Sequence, residues 1–288
     1  MVIPKTRPLK IQDCLSILYE VCKNHSDTPM LDSQVLVAHI LKKPRVNVMA
    51  HPELSLTSKQ RDKFKQALIR LNQGVPLPYV LGNWEFFGMD FIVSHETLIP
   101  RPETELLVEH AEKWLRAHSS RRLVADVGSG SGIIGISLAV RNSYVHVFCS
   151  DLSWPALKIA QLNSIKHHVS DRVDFIQCDL LSAAQGSFDL ICANLPYLPT
   201  DRMQSLEVSH KEPWLALDGG RDGSDHLRKL LKSSTNKLAP RGLMLLEIDA
   251  SQGRVTSEIA KIYYPGANIN LYKDLSGRDR LLSIDLPE

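Results

Sequence analysis

The chain has 288 residues, of which 43% are hydrophobic and 23% are charged, and its formal net charge is +2 at pH 7. This length accommodates one large domain and one small one, and the composition is that of an ordinary globular protein rather than a disordered or fibrous one. No apolar run approaches the ~20 residues that cross a bilayer, and residues 1–7 lack the apolar centre of a signal peptide. We therefore expect a cytoplasmic protein with no membrane association.

The cysteines and histidines show no pattern of a disulfide framework or a metal site. The five cysteines form no C-x-x-C pair, and we expect them to be reduced thiols. The 11 histidines are scattered without the spacing of metal ligands, so we expect no metal.

The charge is distributed unevenly along the chain. Residues 1–79 contain 12 Lys and Arg and 6 Asp and Glu, a balance of +6, so the remainder carries 2 − 6 = −4. A basic segment can steer an acidic or RNA-bearing partner, and a solvated helical surface explains the same balance equally well.

The first 78 residues have the pattern of a small helical domain. Apolar residues recur at helical spacing over residues 10–24 and 28–42. Thr57 and Gln60 form a capping-box signature, and the helix that they open is expected to end near Gly74. Nothing in this domain indicates chemistry.

Residues 79–98 are predicted to form a β-hairpin linker that turns near Gly88. The predicted catalytic domain covers residues 99–288 and opens with two prolines that flank Arg101. Pro102 suits the first turn of a helix, and the prolines together stiffen the chain. Helix capping does not explain the arginine, which we expect to face the active cleft.

From residue 121 strand and helix patterns alternate, which is typical of an α/β fold with a parallel sheet. The predicted strands cover residues 123–127, 145–149, 173–178, 188–193 and 242–248, with a terminal strand pair at 269–272 and 281–284. Helices are predicted to follow the first strand, to cover residues 154–167, to extend from 225 to about 238, and to cover 255–263.

A glycine-rich turn joins the first of these strands to its helix. Its sequence is Asp126-Val127-Gly128-Ser129-Gly130-Ser131-Gly132. Glycines permit a tight turn and a close approach of the backbone to a ligand. Asp151, which ends the second strand, can accept both hydroxyls of a ribose, and Asp179, which ends the third, can meet an adenine amine. An adenosyl ligand therefore fits across three successive strand ends.

Two nucleotide ligands compete for this turn. Residues 130–135 also satisfy G-x-G-x-x-G, with Asp151 about 20 residues further on, as a dinucleotide site requires. Three features favour S-adenosylmethionine over NAD: the leading Asp126 and Gly128, the polar end of the fourth strand, and the terminal strand pair. A glycine turn that binds nothing is the third alternative.

The fourth strand ends in Asn194-Leu195-Pro196-Tyr197. Pro196 cannot donate to a sheet ladder, so the strand stops before it. The Asn194 side chain and the next carbonyl can each accept one N–H of an incoming NH2 group, and Tyr197 can cover the flat face of that group. The alternative is an ordinary turn after a core strand.

The sequence resembles the HemK/PrmC family, the peptide chain release factor N5-glutamine methyltransferases, over nearly its whole length. The resemblance is carried by residues 84–88, the run Thr97-Leu-Ile-Pro-Arg-Pro-Glu-Thr-Glu105, the glycine turn, residues 212–220 and Leu245-Leu-Glu-Ile248. It implies a class I S-adenosylmethionine-dependent methyltransferase, with a Rossmann-like, mostly parallel seven-stranded sheet and an amino-terminal helical bundle that recognises the substrate.

The resemblance also implies the residues that act. The substrate is the glutamine of the Gly-Gly-Gln motif in class 1 release factors, and the product of the cofactor is S-adenosylhomocysteine. Residues 194–197 are expected to be catalytic and to bind the substrate with Arg101. The cofactor is expected to bind Asp126, Gly128, Ser129, Gly130, Ser131, Gly132, Asp151, Asp179, Leu180 and Asn194. We expect a monomer that does not bind nucleic acid directly.

Two positions depart from the family pattern, and two other functions stay open. Leu195 replaces the usual proline, which removes a fixed φ, and Leu180 replaces an aromatic residue expected to stack on adenine. The Asn-Leu-Pro-Tyr motif is also similar to that of ribosomal RNA adenine dimethyltransferases, so N6-adenine methylation of RNA or DNA is an alternative. A non-catalytic release-factor-binding module is the second.

Overall fold

The computed structural model describes residues 8–23 and 26–287, which form two compact units divided between Gly82 and Asn83. The predicted boundaries of the helical domain at residue 78 and of the hairpin linker at residue 98 stay predictions.

The first unit is helical within its described residues. Its helices are α1 (Ile11–Cys22), α2 (Pro29–Leu41), α3 (Arg45–Ala50), α4 (Ser58–Asn72) and α5 (Leu77–Leu81). The core contains Leu18, Leu36 and Phe64, each at most 1% exposed. The helices predicted at 10–24 and 28–42 are confirmed as α1 and α2, except that residue 24 lies outside the described residues. The short helix α3 was not predicted.

The capping box of α4 is confirmed. The Thr57 N–H donates to Gln60 Oε1 at 2.9 Å, and the Gln60 N–H donates to Thr57 Oγ1 at 3.3 Å. The Arg70 guanidinium near the end of α4 donates to the Tyr79 carbonyl at 2.9 Å. Residues 79–81, which were assigned to the hairpin linker, belong instead to α5, where the Gly82 N–H closes the last turn on Pro78.

The second unit begins with a β-hairpin of β1 (Asn83–Phe86) and β2 (Met89–Ile92). Its turn is at Phe87 and Gly88, with φ of 54° and 73°, and positive φ at both central residues is the geometry of the favoured two-residue hairpin turn. The buried Asn163 side chain holds the hairpin through both polar groups of Ile92, accepting its N–H at 2.7 Å and donating to its carbonyl at 3.0 Å.

A seven-stranded sheet forms the centre of this unit and confirms the predicted α/β class. The remaining strands are β3 (Leu123–Val127), β4 (His146–Asp151), β5 (Val173–Gln177), β6 (Phe188–Ala193), β7 (Leu238–Glu247), β8 (Asn268–Lys273) and β9 (Asp279–Asp285). Their order is β5-β4-β3-β6-β7-β9-β8, with β3 to β7 parallel and β9 antiparallel to both of its neighbours.

Helices cover both faces of the sheet. They are α6 (Glu105–Ala117), α7 (Ile133–Arg141), α8 (Trp154–Lys166), α9 (Thr200–Met203), α10 (Asp225–Ser233) and α11 (Gly253–Tyr263). Each face has its own cluster of buried side chains, one around Leu107, Ile136 and Leu190 and the other around Ile191, Leu230 and Met244. None of the described helices has both the length and the apolar character of a membrane span.

The prediction of a helix up to residue 238 was wrong at its end. Helix α10 stops at Ser233, and Leu238 opens β7 by pairing with Phe188, whose N–H donates to the Lys237 carbonyl at 2.7 Å. Pairing with a distant strand outweighs the local helical pattern there.

The order of the strands determines where a ligand can bind. In the sheet, β4 lies on one side of β3 and β6 lies on the other. Because β3 and β6 are parallel neighbours, the loops that follow them face each other at the carboxyl edge. Ligands of open α/β sheets bind at this switch point.

Gly135 lies where α7 packs closely against the sheet, and its lack of a side chain permits this packing. A Cβ at this position would lie 2.8 Å from Val147 Cγ1 and 3.0 Å from Asp126 Oδ2.

We expect Gly135→Ala to lower the free energy of unfolding by about 1–3 kcal/mol, as overpacking of a core does. Urea denaturation measures this change. As a control on the same helix, Val140→Ala at a 40% exposed position should change the value by less than about 0.5 kcal/mol. Equal midpoints for Gly135→Ala and the wild type would contradict the packing argument.

Candidate active site

A cavity of about 360 Å³ opens at the carboxyl edge of the sheet. Its walls come from the loops after β3, β4, β5 and β6, from residues 96–104 and from residues 213–216. The volume lies in the range of small-molecule sites.

The glycine turn forms one wall and is held on β4 by backbone hydrogen bonds. The N–H groups of Gly128 and Ser129 donate to the Ser150 carbonyl at 2.8 and 3.0 Å. Gly128 and Gly130 have φ of 70° and 56°, a region that side chains disfavour. The turn therefore exposes backbone to the cavity.

Asp151 ends β4 beside this turn. Its Oδ2 accepts the Gly130 N–H and its Oδ1 accepts the Ser153 N–H, both at 2.8 Å. Burial raises the pKa of Asp151 despite these hydrogen bonds. The Leu152 N–H also bonds this carboxylate, and three N–H groups do not fill the roughly four lone-pair sites of its two oxygens. The carboxylate is therefore held in place and can still accept a hydrogen from a ligand.

Asp179 and Leu180 follow the next strand and line the same cavity. Leu180 has a φ of 51° and is half-buried, whereas Asp179 is exposed. Three successive strand ends thus supply a glycine turn, a carboxylate, and a second carboxylate beside an apolar side chain.

Eight of the ten residues predicted to bind a cofactor line this cavity, and Asp126 and Gly132 do not. Asp126 is fully buried behind the turn, where its Oδ2 accepts the Gly135 N–H at 2.8 Å. Burial raises its pKa to about 7. A Cβ on Gly132 would meet Ile136 Cδ1 at 2.7 Å, which places this glycine against α7. Both residues support the turn from behind.

Asn194 directly follows β6, beside the glycine turn. Its Nδ2 donates to Thr104 Oγ1 at 3.1 Å. The neighbouring Leu195 is 8% exposed, and a Cβ on Gly128 would lie only 2.8 Å from its Cδ2. The loop after β6 and the glycine turn are therefore in contact.

A second cavity of about 200 Å³ adjoins the first. Both are lined by Arg101, Asn194, Leu195 and Pro196, and Tyr197 lines only the second. The remaining walls of the second cavity are mostly apolar, from Leu98, Leu198, Leu206, Val208, Ala216 and Leu217. Burial raises the pKa of Tyr197, so its phenol stays protonated.

Arg101 lines both cavities and is anchored by one carboxylate. Its Nη2 lies 2.6 Å from Glu212 Oε1, while Glu212 Oε2 accepts the Ile99 N–H at 2.9 Å. Glu212 is 9% exposed, so the pair also fixes the segment that carries the arginine.

Two residues near Asn194 were missed by the sequence analysis. Thr104 and Glu247 were named only within the runs 97–105 and 245–248, and neither was given a role, although Glu247 ends the apolar run of β7 with a carboxylate. The two are 1% and 4% exposed. A charged residue after Leu243–Leu246 is the signal that could have identified Glu247.

Comparison with known proteins identifies the family. Profiles of the PrmC N-terminal domain and the methyltransferase small domain match residues 19–82 and 101–211. The release factor glutamine methyltransferase of Moorella thermoacetica is 37% identical over 256 residues, which cover 88% of this chain and 90% of that protein. The chain belongs to the release factor glutamine methyltransferase family. The family member from Clostridium acetobutylicum is 33% identical, across 95% of this chain and 98% of that protein.

Solved structures support the fold that this family implies. The N-terminal domain of human METTL16, solved in complex with SAH, has a TM-score of 0.52 at 13% identity and covers 88% of this chain and 95% of that one. The ribosomal protein L11 methylase of Lactobacillus delbrueckii has a TM-score of 0.50 at 22% identity, covering 65% and 81%. At these identities the likeness concerns the fold alone. Family membership favours methyl transfer over hydride transfer at the glycine turn.

The buried Asp126 makes stability depend on pH in an uncommon direction. Its pKa rises from 3.8 to about 7 on folding, so the folded chain holds this proton more tightly than the unfolded chain. We expect the wild type to lose stability relative to Asp126→Asn as the pH rises from about 4 to 7. Urea denaturation across this range measures the difference.

Asp189→Asn is the matched control with the opposite sign. Burial alone would raise the pKa of Asp189, but hydrogen bonds from the Leu123 N–H and from Arg121 hold that pKa below its usual value. That carboxylate stabilises the fold above its usual pKa, and the contribution is lost as the pH falls. A pH-independent difference between wild type and Asp126→Asn would refute the prediction.

Proposed function

We propose that this chain methylates the side-chain nitrogen of the glutamine in the Gly-Gly-Gln motif of class 1 release factors, with S-adenosylmethionine as the methyl donor. Family membership supports the reaction. The observation that carries the proposal is the placement of Asn194 in the same cavity as Gly128, with its Nδ2 engaged by Thr104. Such a substrate makes the cytoplasm the expected location.

The residues around the glycine turn fit the methyl donor. When bound, S-adenosylmethionine supplies a methyl group that its sulfonium charge already activates. The two Asp151 oxygens together offer about four lone-pair sites, and backbone N–H groups of Gly130, Leu152 and Ser153 use three of them, so a site remains for a ribose hydroxyl. Leu152 and Leu180 offer apolar surface to the adenine, and Asp179 offers an acceptor to its amine.

The loop after β6 fits a primary amide. An amide nitrogen is a weak nucleophile because its lone pair is delocalised into the carbonyl. Asn194 Oδ1 and the Leu195 carbonyl can each accept one of its hydrogens and hold the nitrogen in one orientation. Tyr197 and Arg101 line the adjoining cavity and are proposed to contact the same substrate.

Two acceptors on the substrate nitrogen favour the transition state over the ground state. As the nitrogen gains positive charge during transfer, its N–H bonds become stronger donors, so both hydrogen bonds strengthen. Orientation of the nitrogen can contribute up to about 7–11 kcal/mol in the most favourable cases. The chain thus acts by positioning and electrostatics.

Leu195 compensates in part for the missing proline. Its backbone still provides a carbonyl, and its buried side chain packs on Gly128. Packing, rather than a proline ring, then restrains the loop.

At Leu180, the aliphatic side chain provides contact area for the adenine without ring stacking.

Mass spectrometry tests the function directly. Purified chain, S-adenosylmethionine and a class 1 release factor should give one added methyl group on the Gly-Gly-Gln glutamine. A methyl group on RNA or DNA adenine instead, or no transfer to any of these substrates, would overturn the proposal.

Asn194→Ala removes one of the two proposed acceptors. We expect kcat to fall because the activation free energy of methyl transfer rises by about 3 kcal/mol, by analogy with the loss of a transition-state hydrogen bond. The Kd of S-adenosylhomocysteine should barely change. Stopped-flow methylation and calorimetry measure the two quantities. Asn270→Ala, at an exposed position of β8, is the matched control and should retain wild-type turnover. Near-normal turnover of Asn194→Ala would remove this residue from its role.

Asp151→Ala tests the ribose assignment. Hydrogen bonds to a charged group contribute about 1.5–3 kcal/mol, so the Kd of S-adenosylhomocysteine should rise by at least about tenfold. Asp171→Ala, which removes a 75% exposed side chain, should bind normally. The assignment fails if calorimetry returns the same Kd for Asp151→Ala and the wild type.

A further inference from the structure

Three large apolar side chains line the first cavity although each is about half exposed. Leu152, Trp214 and Leu215 are 44%, 46% and 48% exposed. Single apolar side chains on a surface are ordinary, but several of them around one cavity mark a binding surface. Of the phenylalanines, tyrosines and tryptophans in the part of the chain that the structure describes, only Trp214 lines this cavity.

The short helical turn that carries Trp214 (Trp214–Ala216) is anchored on both sides. Before it, the buried Glu212 carboxylate accepts the Ile99 N–H at 2.9 Å. After it, the Leu198 N–H donates to the Leu217 carbonyl at 3.0 Å. The neighbouring residues therefore hold the indole at the cavity wall, and its exposed face is available to a ligand.

We propose that Trp214 binds the cofactor by covering the flat face of its adenine ring. It would supply the aromatic surface that Leu180 lacks. This inference rests on the proposed function, which makes S-adenosylmethionine the ligand of the first cavity.

The two cavities separate Trp214 from the proposed substrate side. Trp214 lines only the first cavity, together with the glycine turn, Asp151 and Asp179, whereas Tyr197 lines only the second. A site of about 360 Å³ buries most of the surface of a ligand that fills it. We therefore expect a large side chain on its wall to contact the cofactor.

The adenine is the part of the cofactor that suits an indole. Asp151 and Asp179 are the proposed partners of the ribose and of the adenine amine, and each is followed by a leucine that lines the cavity, Leu152 and Leu180. The adenine would thus lie among apolar side chains at the ends of β4 and β5. Aliphatic groups offer contact area only, whereas an aromatic ring also stacks on a base.

Two other partners of the indole would change different constants. A sulfonium is a cation, and the face of a tryptophan attracts cations, so this contact would affect S-adenosylmethionine but not the uncharged S-adenosylhomocysteine. A contact with the release factor would instead change the KM of that protein and leave the affinity for either cofactor form unaltered.

The first experiment measures the Kd of S-adenosylhomocysteine by calorimetry for two substitutions. Trp214→Leu keeps an apolar side chain and removes the ring, and Trp214→Phe keeps a ring. We expect the Kd to rise by about tenfold for Trp214→Leu and by less than about threefold for Trp214→Phe. Trp154→Leu is the matched control, because Trp154 is 40% exposed, follows Asp151 by three residues and does not line the cavity. Its Kd should equal that of the wild type.

Three results of this comparison would overturn the inference. The first is one Kd for Trp214→Leu and the wild type. The second is a loss for S-adenosylmethionine, titrated without release factor, that S-adenosylhomocysteine does not share. The third is a raised KM for release factor with both cofactor affinities unchanged.

The second experiment uses the fluorescence of the wild-type fold. Contact with a stacked base changes the emission of an indole, and the chain has four tryptophans, of which Trp84, Trp114 and Trp154 do not line the cavity. Saturation with S-adenosylhomocysteine should change the emission of the wild type and of Trp154→Phe, and should leave that of Trp214→Phe nearly constant. An equal change in the wild type and Trp214→Phe would reject the contact.

These readouts need no methyl transfer, so they separate this inference from the proposed function. S-adenosylhomocysteine that does not bind the wild type would reject both. Normal binding with no dependence on Trp214 would reject the inference alone, even if release factor is methylated. A Trp214-dependent signal without methylation of release factor would support the inference and reject the proposed substrate.

Discussion

The site depends on the parallel pairing of β3 with β6, two strands separated by some sixty residues of chain. Their register places Val127 opposite Ala193, so the segments that leave both strands start at the same level of the sheet. One segment is the glycine turn, and the other carries Asn194. Everything proposed about methyl transfer requires these two segments to be neighbours, and backbone hydrogen bonds impose that proximity before any side chain contributes.

Much of the architecture was predictable from the sequence because its signals are local. The short apolar runs of β3 and β6, the glycines that tolerate positive φ, and the Thr57 capping box each act over a few residues. They also predicted which strand ends carry polar groups, and eight predicted residues line one cavity. The end of α10 was not predictable in this way, because Leu238 is drawn into β7 by a partner fifty residues away.

The orientation of polar side chains was equally beyond the sequence. Asp126 stands at the head of the glycine motif, yet it faces the interior and accepts the Gly135 N–H. Thr104 has the neighbours of a helix-capping residue, yet its hydroxyl contacts Asn194. In both cases the partner comes from packing between elements.

The contact between Leu195 and Gly128 links two parts of the site that are separate in the chain. Any side chain at 128 would collide with Leu195 Cδ2, so the two positions cannot vary independently. We expect substitutions there to show strong non-additivity, with a small residue at 195 rescuing an alanine at 128 in part. The same contact means that a displacement of the glycine turn moves the carbonyl of residue 195. Occupancy of one half of the catalytic cleft should therefore alter the affinity of the other half, a thermodynamic linkage between the two co-substrates.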